Sequence, residues 1–231
     1  MIKTICLIRG NPEENYPAFS ARMRKVTRQV LTANDLQALS ITITEDPPPR
    51  FSVIPFRKGK IAAFSLVSGS GKILADLEQE PGFSGYYQVT EALPVSYQRN
   101  WPDGEVTPGL CMLTLFRKKR SIPYQTFLHR WHNGHTPLSL KVHPLWHYNR
   151  NVVDQVLVPR SEPIDGIVEE HVKTPSELLN PFKFFGNPLI ILWRFLQVYR
   201  DTLSFLDYST IEPYVVREYW VTSSRKAQQR Q

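Results

Sequence analysis

A chain of 231 residues that is 42% hydrophobic and 21% charged is globular and not disordered, with room for one large domain or two of about 110 residues. Its longest apolar run, Leu189 to Trp193, falls far short of the roughly 18 residues of a membrane span. Four of the seven excess positive charges are Arg117, Lys118, Lys119 and Arg120, and three more are Arg225, Lys226 and Arg230, so the body is balanced and lacks the spread basic face of a nucleic-acid binder.

Ile2 to Ile8 reads as a strand buried on both faces. Pro17 to Leu31 turns helical, with Phe19, Met23, Val26 and Val30 at spacings of three and four. Leu39 to Thr44 alternates as a strand, Pro47-Pro48-Pro49 forces a loop, and Ile61 to Val67 is a third strand. Ser68-Gly69-Ser70-Gly71 breaks the pattern, Lys72 to Glu80 suits a short helix, and Tyr86 to Gln98 is strand-rich. That order is the split βαβ arrangement of a ferredoxin-like module, spanning residues 1–100. Residues 101–109, rich in proline and glycine, read as a linker.

The pattern then restarts over 110–222. Leu110 to Phe116 is a strand, and Ser121 is placed to cap a helix carrying Pro123 in its first turn. Trp146 to Val153 and Ile164 to Val172 are strands, the latter bent near Asp165-Gly166. Thr174-Pro175 and Asn187-Pro188 are helix starts, Leu189 to Leu203 is an apolar helix, and Tyr214 to Val221 is the last strand. Residues 223–231 form a basic tail. The expected fold class is α+β: two tandem ferredoxin-like modules whose antiparallel sheets pack into one barrel.

On a helical wheel, Tyr124, Phe127, Leu128 and Trp131 share an arc with His135 at its centre, whereas His129 and His132 point elsewhere. The three histidines therefore do not converge on a metal. His135 is either a core histidine or a general acid/base in an apolar cavity, since imidazole titrates near working pH. Thr136-Pro137 is expected to break or restart the helix beside it. Of His147 and Tyr148 only one faces the cavity, because a strand alternates sides. Asp207 is placed to pair with Arg200, to pair with a buried histidine, or to cap a helix end. The cluster at 117–120 is either a solvated turn or the border of an anion pocket. Cys6 and Cys111 sit in apolar strands and suit buried free thiols. No Gly-rich phosphate loop or G-x-S-x-G elbow is present. Arg9 sits inside what would be the core of an export signal, so a cytoplasmic protein is expected.

The run F-x-x-x-W-x-x-x-H-x-P-L at Phe127, Trp131, His135, Pro137 and Leu138 resembles the EthD family of dimeric α/β-barrel proteins. Tyr148-Asn149, Asp165-Gly166 and Phe205-Leu206-Asp207 agree with that resemblance, which covers about Leu110 to Val221. The first half lacks the Trp and His and looks like a degenerate copy. The resemblance implies a ligand in the barrel interior or the cleft beside it. In that family two chains usually supply the two sheets; here one chain holds both, as a monomer with an internal pseudo-dimer or as a homodimer. It also implies a cofactor-free cyclase, isomerase or dehydratase acting on a small aromatic or polyketide-like ligand. His135, Tyr148 and Asp207 would be its catalytic residues, and Trp131, Phe127, Phe116 and Arg117 would bind substrate. The alternative is a non-catalytic carrier or accessory protein for a hydrophobic ligand. No metal, cofactor, nucleic acid or membrane partner is expected.

Overall fold

The computed structural model describes residues 1–33, 36–69 and 75–223. The basic tail residues Arg225, Lys226 and Arg230, and part of the glycine-serine break, lie outside them. Eight strands carry the fold: β1 (Ile2–Arg9), β2 (Ala38–Ile43), β3 (Ile61–Ser68), β4 (Phe83–Val95), β5 (Leu110–Phe116), β6 (Leu145–Val156), β7 (Gly166–Val172) and β8 (Glu212–Ser223). They close into one barrel in the order β1-β3-β2-β8-β5-β7-β6-β4, with every neighbouring pair antiparallel.

Each half has its first and third strands in the middle and its second and fourth at the edges. β4 of the first half pairs with β6 of the second, and β8 pairs with β2. An edge strand exposes unpaired N–H and C=O groups, and here each half's two edges are closed by the other half. The expected tandem ferredoxin-like barrel is thus the observed fold.

Alternation along the strands sorts side chains into two compartments. Cys111, Leu113 and Leu115 join Ile5, Leu7 and Ile167 inside the barrel. Met112 and Phe116 face outward, toward the helices of the second half. The first sheet's outer face is covered by α1 (Tyr16–Ala33), through the predicted stripe of Phe19, Met23, Val26 and Val30, and by α2 (Ala75–Glu78). Cys6 and Cys111 are buried free thiols.

Inside, the barrel also holds polar groups. Glu218 accepts hydrogen bonds from Tyr97 Oη at 2.7 Å and Thr107 Oγ1 at 2.6 Å, and Glu169 accepts from Asn149 Nδ2 at 3.0 Å. The stretch expected as a linker is therefore structural. Gly104 N–H donates to Trp220 O and Thr107 N–H to Glu218 O, which continues the β5–β8 ladder past its last strand pair. Gly109 makes the turn into β5 with φ +91°, where a Cβ would lie 1.9 Å from Val172 O.

The second sheet's outer face is covered by α3 (Tyr124–His129), a π-helical turn (Arg130–His135), α4 (Thr136–Val142), α5 (Pro175–Leu179), α6 (Pro181–Phe184) and α7 (Ile191–Leu203). One local expectation is corrected and another narrowed. Pro123, not Ser121, occupies the cap position of α3, without a side-chain bond. Of the two outcomes expected at Thr136-Pro137, the chain takes the restart and not the break, with α4 beginning at Thr136. The helix widens by one residue per turn: Thr136 N–H reaches Trp131 O, five residues back, and Pro137 enters the first turn of α4, where its missing N–H costs nothing.

Candidate functional site

A cavity of about 460 Å³ lies between the outer face of β5, β6 and β7 and the helices of the second half. That volume suits a small organic ligand. Of the two places expected for a ligand, this is the cleft beside the barrel and not its interior, since the strands that line it present their helix-facing residues, not their lumen-facing ones. The floor is Met112, Phe116, Tyr148, Val168 and Glu170; the roof is Trp131 and His135 with residues of α7.

Trp131 reaches this floor because of Gly166. A Cβ there would lie 2.5 Å from the Phe116 ring and 2.8 Å from the Trp131 indole. The Asp165-Gly166 pair read as a bend is thus a seat for two aromatic rings. Phe116 and Trp131 meet edge to face at 5.0 Å, and Phe127 stands behind Trp131 at 5.4 Å without lining the cavity. Phe127 is therefore a packing residue, not a ligand contact.

His135 is the polar centre of the roof. Its Nδ1 is 2.8 Å from Asp201 Oδ2 and its Nε2 is 3.0 Å from Ser139 Oγ. A carboxylate only accepts, so Nδ1 carries a proton, and in the neutral ring that leaves Nε2 to accept from the Ser139 hydroxyl. Both Ser139 and Asp201 went unread in the sequence. Ser139 lies four residues from His135 on the continuing helix, a spacing open to anyone who had kept the helix intact through Pro137. Asp201 arrives from α7, and no local signal announces it.

Asp207, expected in the site, is elsewhere. It is exposed and its side chain caps the short turn Tyr208–Thr210, accepting from Ser209 N–H and Ser209 Oγ. Those bonds hold its carboxyl below the usual carboxylate range, with Arg120 and Arg117 adding to the effect. Arg117 does not line the cavity either. Its main chain joins the same turn, the N–H donating to Thr210 Oγ1 and the carbonyl accepting from Asp207 N–H. Lys118 and Lys119 point their ammonium groups at the Ile122 and Leu203 carbonyls. The 117–120 cluster is a turn packed on the end of α7 and not the border of an anion pocket.

Tyr148 faces the cavity and is fully buried, while His147 faces the barrel with its ring tilted against Tyr97, centroids 4.2 Å apart. Opposite Tyr148 in the β6–β7 register stands Glu170. Among the described residues no ion pair accompanies this carboxyl, and burial pushes it up to about 7. The burial and the nearby Glu170 charge push the Tyr148 phenol above its ordinary value. The signal for Glu170 was present. Adjacent acids in a strand must take opposite faces, so Glu169-Glu170 between apolar residues sends one carboxyl into the barrel and one toward the helices. His143 also lines the cavity. It donates from Nδ1 to Phe184 O at 3.1 Å, lies stacked on that ring, and is kept neutral by burial, at about 3.

His129, His132 and His135 diverge as the wheel expected: His129 accepts from Asn133 Nδ2 on the exposed side, and only His135 enters the cavity. Together the described groups make an imidazole backed by a carboxylate on one wall. A buried phenol and an uncompensated carboxyl stand on the other, in a largely apolar space.

No family model and no curated protein matches the sequence. Solved structures do. An anthrone oxidase-like protein is similar over 96% of this chain and 94% of its own, at 13% identity and a TM-score of 0.57. A candidate monooxygenase of Fusobacterium nucleatum subsp. nucleatum is similar over 96% and 92%, at 7% identity and a TM-score of 0.49. At 13% identity the first likeness shows the fold, a barrel built from the whole length of one chain.

Proposed function

We propose that this chain is an EthD-like, cofactor-free enzyme that moves a proton on a small aromatic or polyketide-like ketone. The observation that carries the reading is the His135–Asp201 pair opening on an apolar cavity. Asp201 holds Nδ1–H and so leaves Nε2 as the basic atom. Nε2 takes up a substrate proton directly once the Ser139 hydroxyl turns away, or Ser139 Oγ takes the substrate proton as it passes its own to Nε2. The electron pair left behind moves onto the carbonyl oxygen as an enolate. Tyr148 and the protonated form of Glu170 are the donors available to that oxygen, and a hydrogen bond there is strongest in a site that excludes water. Returning the proton at another carbon gives isomerisation; attack by the enolate on a second carbonyl of the same molecule gives cyclisation.

The first probe to try is an anthrone, a fused-ring ketone with an acidic methylene, because the protein of similar fold is described as anthrone oxidase-like. Exchange of its methylene protons with deuterated water, followed by NMR, reads the proposed step directly. The expected result is catalysed exchange that falls roughly a hundredfold in His135→Gln and at least tenfold in Asp201→Asn, while Asp207→Asn keeps the wild-type rate. Saturable binding with no exchange above background, across anthrones and related ring ketones, would favour the carrier reading instead.

A further inference from the structure

Helix α7 is apolar on two sides. Its inward residues Val198 and Thr202 line the cavity, whereas Leu192 and Trp193 are 69% and 70% exposed and Leu196 is exposed beside them. Leu189, just ahead of the helix, is 93% exposed. A contiguous patch of this kind on an otherwise well-packed molecule marks an interaction surface.

The patch continues into the mouth of the cavity. Phe195, Tyr199 and Val53 line the cavity and are also exposed, so they form its lip. Ile54 and Phe56, next to Val53, pack against the same buried cluster as Ile191 and Val198 of α7. The same loop leaves Phe51 93% exposed.

The exposed charge of α7 itself is one-sided. The exposed polar residues of α7 are Gln197 and Arg200, and its one acid, Asp201, is turned inward to His135. Exposed Lys183 lies between Phe182 and Phe184, and exposed Arg57 donates to the carbonyl of Ile211 at the cavity wall. A second copy packed on this face about a two-fold axis would bring the cations of both copies into one interface with no exposed acid of α7 to offset them. An anionic lipid surface answers both features, since head groups meet the cations while the indole and leucines enter the acyl boundary.

We propose that this face of α7, with the lip beside it, docks on an anionic lipid surface and turns the cavity mouth toward the bilayer. The contact is peripheral: among the described residues no helix is long and apolar enough to cross a membrane. Apolar ligands then enter the cavity from lipid without crossing water. This surface is independent of the reaction in the cavity, so its test needs no substrate.

The test is co-sedimentation of the full chain with vesicles of phosphatidylcholine mixed with phosphatidylglycerol, against phosphatidylcholine alone, at low and high salt. The mixed vesicles should bind the protein and high salt should weaken binding. The double substitution Leu192→Glu with Trp193→Glu should reduce it roughly tenfold or more. Arg200→Glu, at an exposed position, is the milder variant if the double one misfolds, and should weaken binding to mixed vesicles only. Three results would overturn the proposal: no sedimentation with mixed vesicles, binding indifferent to both variants, or a dimer in equilibrium sedimentation that the double variant dissolves while vesicles bind neither form.

Discussion

At the scale of single residues, the site depends on a missing atom. Gly166 leaves the space where Phe116 and Trp131 meet, and their rings fix the floor and roof of the cavity relative to each other. Gly166→Ala would bring a methyl group within 2.5 Å of one ring and 2.8 Å of the other, so a buried ring must shift, and the open side for both is the cavity. Overpacking of this kind costs about 1–3 kcal/mol, which in a chain of this size is several degrees of Tm. Thermal unfolding by circular dichroism should show that loss, and a weaker affinity for an anthrone should accompany it as Trp131 is displaced. Asp201 and Asp207 make the complementary point. Two aspartates six residues apart differ completely in role, because one sits on the helix face turned to His135 and the other caps the turn that follows.

Among the elements, the segment between β4 and β5 does more than connect. Tyr97, reached after β4, donates to buried Glu218 and accepts from Trp220 Nε1 at 2.8 Å. Thr107 supplies a second donor to the same carboxylate oxygen. Tyr97→Phe removes a donor from a buried carboxylate and leaves the Trp220 indole N–H without its acceptor. Such losses cost about 1–3 kcal/mol. Urea unfolding should show a lower midpoint with an unchanged slope, since the surface exposed on unfolding stays the same. A freely moving linker would show no change. The π-turn is the other element with a local cause, since Pro137 has no N–H to give and the wider turn spares the carbonyl it would otherwise crowd.

For the whole molecule, burial of ionisable groups in both compartments sets the dependence of stability on pH. His143, His147 and His171 are held down to about 3 by burial, from an ordinary 6.5. Their folded forms stay neutral while the unfolded chain takes up protons, so stability is lost as pH falls below 6.5. Glu170 runs the other way. Its carboxyl is raised from 4.5 to about 7, so the folded state holds a proton that the unfolded chain has released, and that stabilisation is lost as pH rises from 4.5 through 7. Glu169 is pushed in the same direction by burial, which outweighs the opposing pull of Lys3, and by the charges of Glu218 and Glu91. Between 4.5 and 6.5 three histidines outweigh two carboxyls, so stability still rises with pH; above 6.5 only the carboxyls act. Tm measured against pH should peak near 6.5 and fall more steeply on the acid side. Glu170→Gln should match the wild type most poorly at pH 8, where it should be more stable by several degrees, about 2–4 °C per kcal/mol, and the gap should close toward pH 5.

Much of this protein was legible in its amino-acid order. The split βαβ pattern appears twice, the stripe of Phe19, Met23, Val26 and Val30 is buried as its spacing requires, and Trp131, His135 and Tyr148 do meet in one cavity. These features follow from rules that act over a few residues, namely the strand and helix periods and the special geometry of Gly and Pro. The rest needed the chain to be closed. Asp201 is 66 residues from His135, and only the packing of α7 across the π-turn brings them to 2.8 Å. The cavity lies outside the barrel because the closed lumen is filled by its own side chains, leaving the space under the helices for a ligand. The stretch at 101–109 is held in place because β8 extends beyond its pairing with β5, and a strand with free backbone groups binds whatever chain lies beside it. Local periodicity chose the elements and most of the candidate residues. Contacts across the closed barrel chose the partners, because a side chain's neighbour from a distant element depends on packing angles that no short stretch of sequence contains.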